Sequence, residues 1–118
     1  MLHEFSRTEL LLASDNMQTL KNARVTPLGA AAAAGYAPPA PARPRAGHLT
    51  LVDHDTVSLT NLNRQIIALH STLGRPKVEV MAERIHDIAP DCDVRTMQCF
   101  YLPETQDQFD LTQYDYVI

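Results

Sequence analysis

Apolar positions along the chain change period several times. Residues 5–12 and 16–22 carry short helical patterns, with Leu10, Leu11 and Leu12 supplying an apolar face and Ser14 to Asn16 breaking it. This predicts a helical lead-in over residues 1–22. Residues 23–28 predict a first strand. Residues 47–53, GHLTLVD, crowd Leu49, Leu51 and Val52 together, the near-continuous apolar run of a strand buried in a parallel sheet. The polar stretch 53–60 predicts a loop, after which Leu62, Gln65, Ile66 and Leu69 recur at helical spacing over residues 61–69. The clearest helix follows Gly74-Arg75-Pro76. Proline is tolerated at a first helical position, Val78, Met81, Ala82, Ile85 and Ile88 line one face, and Pro90 stops the run. Residues 93–98 and 114–118 predict two more strands, with a turn at Pro103 and a short polar helix over 104–109 between them. Alternating strands and helices point to an α/β fold with a doubly wound parallel sheet.

Two stretches depart from that pattern. From Gly29 to Gly47, eighteen of nineteen residues are Ala, Pro, Gly or Arg, and five of the chain's eight prolines fall between positions 27 and 44. Proline inside a helix removes a hydrogen bond and costs ~3 kcal/mol, so Pro38, Pro39, Pro41 and Pro44 argue against a regular helix where a crossover helix belongs. Residues 26–46 are thus a low-complexity segment between the lead-in and the strand-helix units of 47–118. The end, Tyr114-Asp-Tyr-Val-Ile118, is an apolar strand without the polar loop that follows such strands, and gives the expectation of a chain cut short.

The 118 residues, 45% hydrophobic, are enough for one domain with a core and no more. A formal charge of −4 has the wrong sign for a module that grips nucleic acid by phosphate neutralisation, so any RNA contact is local or lies outside the chain. No apolar run approaches the ~20 residues that span a bilayer and no secretory pattern opens the chain, which sets the expected location as cytoplasmic, away from membranes. Cys92 and Cys99 have no zinc-ligand spacing and read as two scattered thiols; no metal site is expected from them. His48, His54 and His70 share no ligand spacing either and read as surface or strand-end residues.

Three motifs carry a resemblance. GHLTLVDHDTVSLTNLNRQ at 47–65 followed by GRPK at 74–77 joins an acidic strand end, an Asn-x-x-Arg helix start and a downstream Gly-x-Pro-Lys, and resembles the signature of the ThiF/MoeB (ubiquitin-activating-enzyme-like) superfamily. HEFSRTELL at 3–11, RPKVEVMAERI at 75–85 and FYLPE at 100–104 resemble, within it, the tRNA threonylcarbamoyladenosine dehydratase branch. The resemblance implies a partial Rossmann-like parallel sheet with flanking helices, the N-terminal half of a ThiF-type domain. It also implies ATP with Mg2+, adenylation of a carboxylate with release of pyrophosphate, tRNA as substrate, and a homodimer.

Charge accumulates on phosphate oxygens in such a displacement, so the site needs fixed cations and oriented donors more than a nucleophile. The resemblance gives Arg64 and Lys77 that work. By itself Lys77 reads as a solvated lysine, although a cation at a helix start opposes the macrodipole by ~0.3–1 kcal/mol, which suits a residue that faces phosphate. Asp53, closing a strand, is either a loop-capping residue or, as the resemblance implies, the acceptor of ribose hydroxyls; Asp55 reads as structural or solvated. Asn61 either caps the following helix or lies near the ATP phosphates. Arg7 is a solvated helix residue or the arginine that family dimers insert into the partner subunit's ATP site.

Gly29 stands where the family's Gly-x-Gly-Gly-x-Gly phosphate loop begins, but Ala30 to Ala34 and Gly35 replace the rest. Each alanine brings a Cβ into geometry that favours glycine, which should impair the phosphate cradle. Ala, Pro, Gly and Arg are products of GC-rich codons, so the segment reads as the family's loop translated in a shifted frame; the gene's other frames should then encode a glycine-rich loop. The acid that family members use for magnesium lies beyond Ile118, and the fragment is expected to be inactive in ATP–pyrophosphate exchange alone. Three other readings compete: a non-catalytic remnant that dimerises, an adenylyltransferase acting on a ubiquitin-like sulfur-carrier protein, and a redox Rossmann domain. The last lacks the Gly-x-Gly-x-x-Gly turn it needs.

Overall fold

A computed structural model describes residues 1–28, 42–43 and 45–118. Gly29 and most of the low-complexity segment lie outside the described residues, and with them the expected loss of the phosphate cradle and the frame-shift reading.

Helix α1 spans Ser6–Asn22 but is broken at Ala13, whose φ of 65° and ψ of 161° interrupt the ladder between its two halves. The two-part pattern read from the sequence is therefore present, its break one residue ahead of Ser14. The predicted apolar face is not: Leu12, Met17 and Leu20 pack on the core, while Leu10 and Leu11 are exposed. Successive side chains on a helix stand ~100° apart, so three consecutive leucines do not share one face.

Four strands follow, β1 (Arg24–Thr26), β2 (His48–Val52), β3 (Asp93–Met97) and β4 (Tyr116–Val117), with helix α2 (Lys77–Ile88) between β2 and β3. They form one sheet in the order β3-β2-β1-β4, every neighbouring pair parallel. The β2–β3 ladder runs from His48 opposite Asp93 to Val52 opposite Met97, and a bridge from Leu28 to Val52 carries β1 past its last regular residue. This is the parallel α/β sheet that the sequence pattern predicts. Chain direction reverses its progress across the sheet between β1 and β4, which makes the carboxyl ends of these strands the place where ligands gather in such folds.

Leu49, Leu51 and Val52 are essentially sealed from solvent, as their crowding implies, and Val78, Val80, Met81 and Ile85 of α2 close over them. Inside this core the Thr26 hydroxyl donates to the Thr50 carbonyl at 2.8 Å, so a buried polar group has its partner.

Three local expectations need correction. Residues 61–69 do not form an α-helix; 3-10 turns at Leu59–Asn61 and His70–Thr72 flank irregular backbone. Side chains divert the backbone there: Asn61 Oδ1 accepts the Ser58 N–H at 3.0 Å, and the Thr72 hydroxyl accepts the Leu69 N–H while donating to the Ile67 carbonyl. The polar helix over 104–109 is a single 3-10 turn, Gln106–Gln108. Pro76 is the residue before α2 and not its first, with an extended ψ of 132°.

Candidate functional site

Asp53 comes directly after the last residue of β2 and is fixed at the carboxyl edge of the sheet, because its N–H donates to the carbonyl of Met97 at the end of β3, at 3.1 Å. Its carboxylate, 6% exposed as a residue, turns back on the loop: Oδ1 accepts the Asp55 N–H at 2.9 Å and lies 3.6 Å from His54 Nδ1. A carboxylate that receives the N–H two residues on makes a tight turn and fixes the direction in which the chain leaves it.

The chain leaves that turn as one side of a short ribbon. Lys77 N–H donates to the Asp55 carbonyl, Val57 N–H to the Arg75 carbonyl and Gly74 N–H to the Val57 carbonyl, with Thr56 bridged antiparallel to Pro76. Gly74, at φ 81°, makes the reversal in a region that disfavours a side chain. The ribbon lays the loop after β2 against the first turn of α2 and brings Asp55 to Lys77.

Lys77 is the first residue of α2 and only 2% exposed. Its Nζ lies 3.2 Å from Asp55 Oδ2, whereas the Asp55 side chain is 52% exposed. The hydrogen bond from Lys77 holds the Asp55 carboxyl below its ordinary value against the opposing effect of its burial, with smaller contributions from the Thr56 N–H and from His54. The solvated reading of Lys77 is thereby set aside. A buried ammonium at a helix start meets both desolvation and the positive end of the macrodipole, so it needs a nearby anion. Asp55, read from the sequence as structural or solvated, supplies one.

The other expected residues are less convergent. Asn61 is buried, but its Oδ1 is occupied by the Ser58 N–H and it closes a 3-10 turn instead of capping a following helix. Arg64 is exposed, and its Nη1 donates to the Thr60 carbonyl at 2.9 Å and to Asn63 Oδ1 at 3.0 Å, tying the guanidinium to its own turn. Arg7 is exposed on α1 and makes no hydrogen bond or ion pair with these groups among the described residues. The structure thus links Asp53, Asp55 and Lys77 and leaves Asn61, Arg64 and Arg7 in other local arrangements.

Beside Asp53 a cleft of about 200 Å³ opens between Leu28, Val52, His54, Cys99, Phe100 and Tyr101, with the His54 ring stacked on Phe100 at 3.4 Å between centroids. Sequence reasoning missed these aromatic walls, since they come from the ends of β2 and β3, which only the parallel register brings together. A larger cavity, about 320 Å³, lies against Lys21, Arg45, Gly47 and Cys92 by the start of β2, and Asp53, Asp55, Asn61, Arg64 and Lys77 do not line it. Its size does not make it the functional site. Among the described residues no group of three or more His, Cys, Asp or Glu is placed to hold a metal ion, and no helix is long and apolar enough to cross a membrane.

Comparison with known proteins adds three findings. The family model described as "ThiF family" matches residues 5–118. The tRNA threonylcarbamoyladenosine dehydratase of Bacillus subtilis is 48% identical over 118 residues, all of this chain and 46% of the relative, and that of Haemophilus influenzae is 38% identical over 108 residues, 92% of this chain and 41% of the relative. The crystal structure of the Escherichia coli tRNA N6-threonylcarbamoyladenosine dehydratase in complex with ATP superposes with a TM-score of 0.91 at 38% identity, covering 97% of this chain and 47% of that one. The chain therefore spans about half the length of the relatives it matches.

Proposed function

Because the chain belongs to the ThiF family, we propose that it provides the phosphate- and ribose-binding half of an ATP-dependent adenylating enzyme, a tRNA threonylcarbamoyladenosine dehydratase. The observation that carries the reading is the buried Lys77 ammonium, joined through Asp55 to Asp53 at the carboxyl edge of a parallel sheet. An ammonium has three donors, and among the described residues one is used, by Asp55, which leaves capacity for a phosphate oxygen. Asp53 stands at the strand end where a carboxylate meets ribose hydroxyls in nucleotide-binding sheets. The similar E. coli enzyme was crystallised with ATP.

In the proposed reaction the carboxylate of a threonylcarbamoyl group on a tRNA adenosine attacks the α-phosphorus, a new oxygen–phosphorus bond forms, and the bond to the leaving pyrophosphate breaks. Lys77 offsets the negative charge that builds on the phosphate oxygens, and its burial strengthens that effect because little water screens it. Arg64 adds a second cation if its guanidinium leaves Thr60 and Asn63, and Asn61 lies on the same turn. Magnesium accompanies ATP in this reading, and Asp53 and Lys77 serve the sugar and the phosphates. We propose further that two copies pair through α1, each placing Arg7 at the other's nucleotide, and that the protein works in the cytoplasm.

Calorimetric titration of ATP into the chain tests the core of this reading. The expected result is saturable binding that raises Tm and is lost in Lys77→Met. Absence of binding by the unsubstituted chain would overturn it and leave a remnant that only dimerises.

A further inference from the structure

We propose that Asp55 is a placeholder counter-ion, which occupies the Lys77 ammonium while the site is empty and yields it to a phosphate oxyanion when a nucleoside triphosphate enters. The inference rests on the reading of Lys77 as a phosphate ligand and adds a residue that sets how readily that ligand becomes available.

The two ends of the pair differ in surroundings. Lys77 is walled in, its side chain 3% exposed, while the Asp55 side chain is 52% exposed. Removing the anion from a buried cation is costly, because the cation has no water to turn to. Releasing Asp55 costs far less, since its carboxylate already faces solvent on one side. An incoming anion can therefore take over the expensive half of the pair and let the inexpensive half rehydrate.

Backbone geometry keeps Asp55 in place for this exchange. Its N–H is held by Asp53 Oδ1, its carbonyl by the Lys77 N–H, and its Oδ1 by the Thr56 N–H at 2.9 Å, so only Oδ2 reaches the ammonium. The carboxylate can turn away without moving the ribbon. Two further titratable groups face it, the neighbouring His54, whose imidazole favours the ionised form of Asp55, and Asp53, whose carboxylate touches the same loop. A phosphate arriving at Lys77 adds negative charge to two aspartates already there, and this repulsion displaces the more exposed one, Asp55.

An anion that stabilises the empty state and is expelled on binding lowers affinity by whatever it contributed. Asp55→Asn keeps the shape and an acceptor but removes the charge. Titration of the full chain with ATP is expected to show Asp55→Asn binding about two- to fivefold tighter than the unsubstituted chain, with a lower Tm before ATP is added, the size expected of a half-exposed ion pair. Asp55→Glu, which retains the charge, keeps the unsubstituted affinity. A residue that merely supports the loop would weaken binding on substitution, so unchanged or weaker binding by Asp55→Asn overturns the proposal. If Asp55→Asn does not fold, the side-chain carboxyl carbon of Asp55 in the unsubstituted chain, followed by NMR, provides the reading. Its pKa, held down by Lys77 in the free chain, rises towards the ordinary value with ATP bound; a pKa that stays depressed in the complex also overturns the proposal. Lys77→Met separates this failure from a wider one, because undiminished ATP binding by that variant removes the nucleotide role of Lys77 itself.

Discussion

A Cβ added to Gly47 would stand 1.7 Å from the carbonyl oxygen of Lys21, a backbone atom that cannot turn aside. Gly47 N–H also donates to the Leu20 carbonyl at 3.1 Å, so the end of α1 and the entry to β2 touch main chain to main chain. Gly47→Ala is expected to cost about 2–3 kcal/mol by forcing the two segments apart, seen as a lower midpoint in urea. ATP affinity of the folded fraction should be unchanged, because Gly47 is by the start of β2 and Lys77 serves the opposite edge. The two cysteines separate by chemistry. Burial, and less strongly Asp93, push the Cys92 thiol up to about 11, so folding favours its neutral form. Its contribution to stability is whole below the ordinary thiol value and is lost as pH climbs from there towards about 11. At pH 8, iodoacetamide should label the half-buried Cys99 well before Cys92, which peptide mass spectrometry can follow; equal rates would contradict the placement of Cys92. At this scale the Gly-x-Pro-Lys motif singles out Lys77 in the sequence, but taken alone it reads as a solvated lysine, and its burial emerges only in the fold. Asp55 is not singled out, because its role depends on a ribbon between residues twenty-two apart that no local pattern announces.

Strand β2 and the long amphipathic helix can be read from the sequence because burial dictates them. Leu49, Leu51 and Val52 suit only a sealed strand, and the apolar stripe of α2 ends at Ile88, two residues before Pro90. The segment 61–69 defeats the same reading for a reason that hydropathy does not contain: Ser, Thr and Asn side chains there offer the backbone alternative partners, and the resulting 3-10 turns place apolar residues at near-helical spacing without a helix. The cleft walls are illegible for a different reason, as Phe100 and His54 meet only through the β2–β3 register. The break in α1 yields a prediction of its own. Ala13 holds φ 65° and ψ 161°, backbone angles essentially confined to glycine and costing a side-chain-bearing residue about 1–3 kcal/mol. Ala13→Gly relieves that strain and should raise stability by about 1 kcal/mol, even though glycine is a poor helix former, because the residue is already outside the ladder. A fall in Tm for this variant would mean that the two halves of α1 are better described as one continuous helix.

On the scale of the whole molecule, β2 and α2 bring Leu49, Leu51, Val52, Val78, Val80, Met81 and Ile85 into the core, whereas α1 buries Met17 and, with the residues before it, leaves other leucines uncovered. Leu2, Leu10 and Leu11 are 89%, 88% and 84% exposed, and Arg7 lies three and four residues before the last two, on the same side of the helix. Burying a leucine from water stabilises a structure by about 1.5–3 kcal/mol, so an isologous contact between two copies of this surface has both an apolar drive and a cation beside it. If two copies pair there, Leu10→Glu with Leu11→Glu puts four like charges into the contact and should yield monomers by sedimentation. The same pairing makes a demand on nucleotide binding that simple association does not. Should Arg7 of one copy reach the nucleotide of the other, ATP affinity must strengthen as the chain is concentrated through its dimer dissociation constant, and Arg7→Ala must erase that dependence while leaving the dimer intact. A dimer whose ATP affinity is flat across that range would retain the interface and exclude Arg7 from the site.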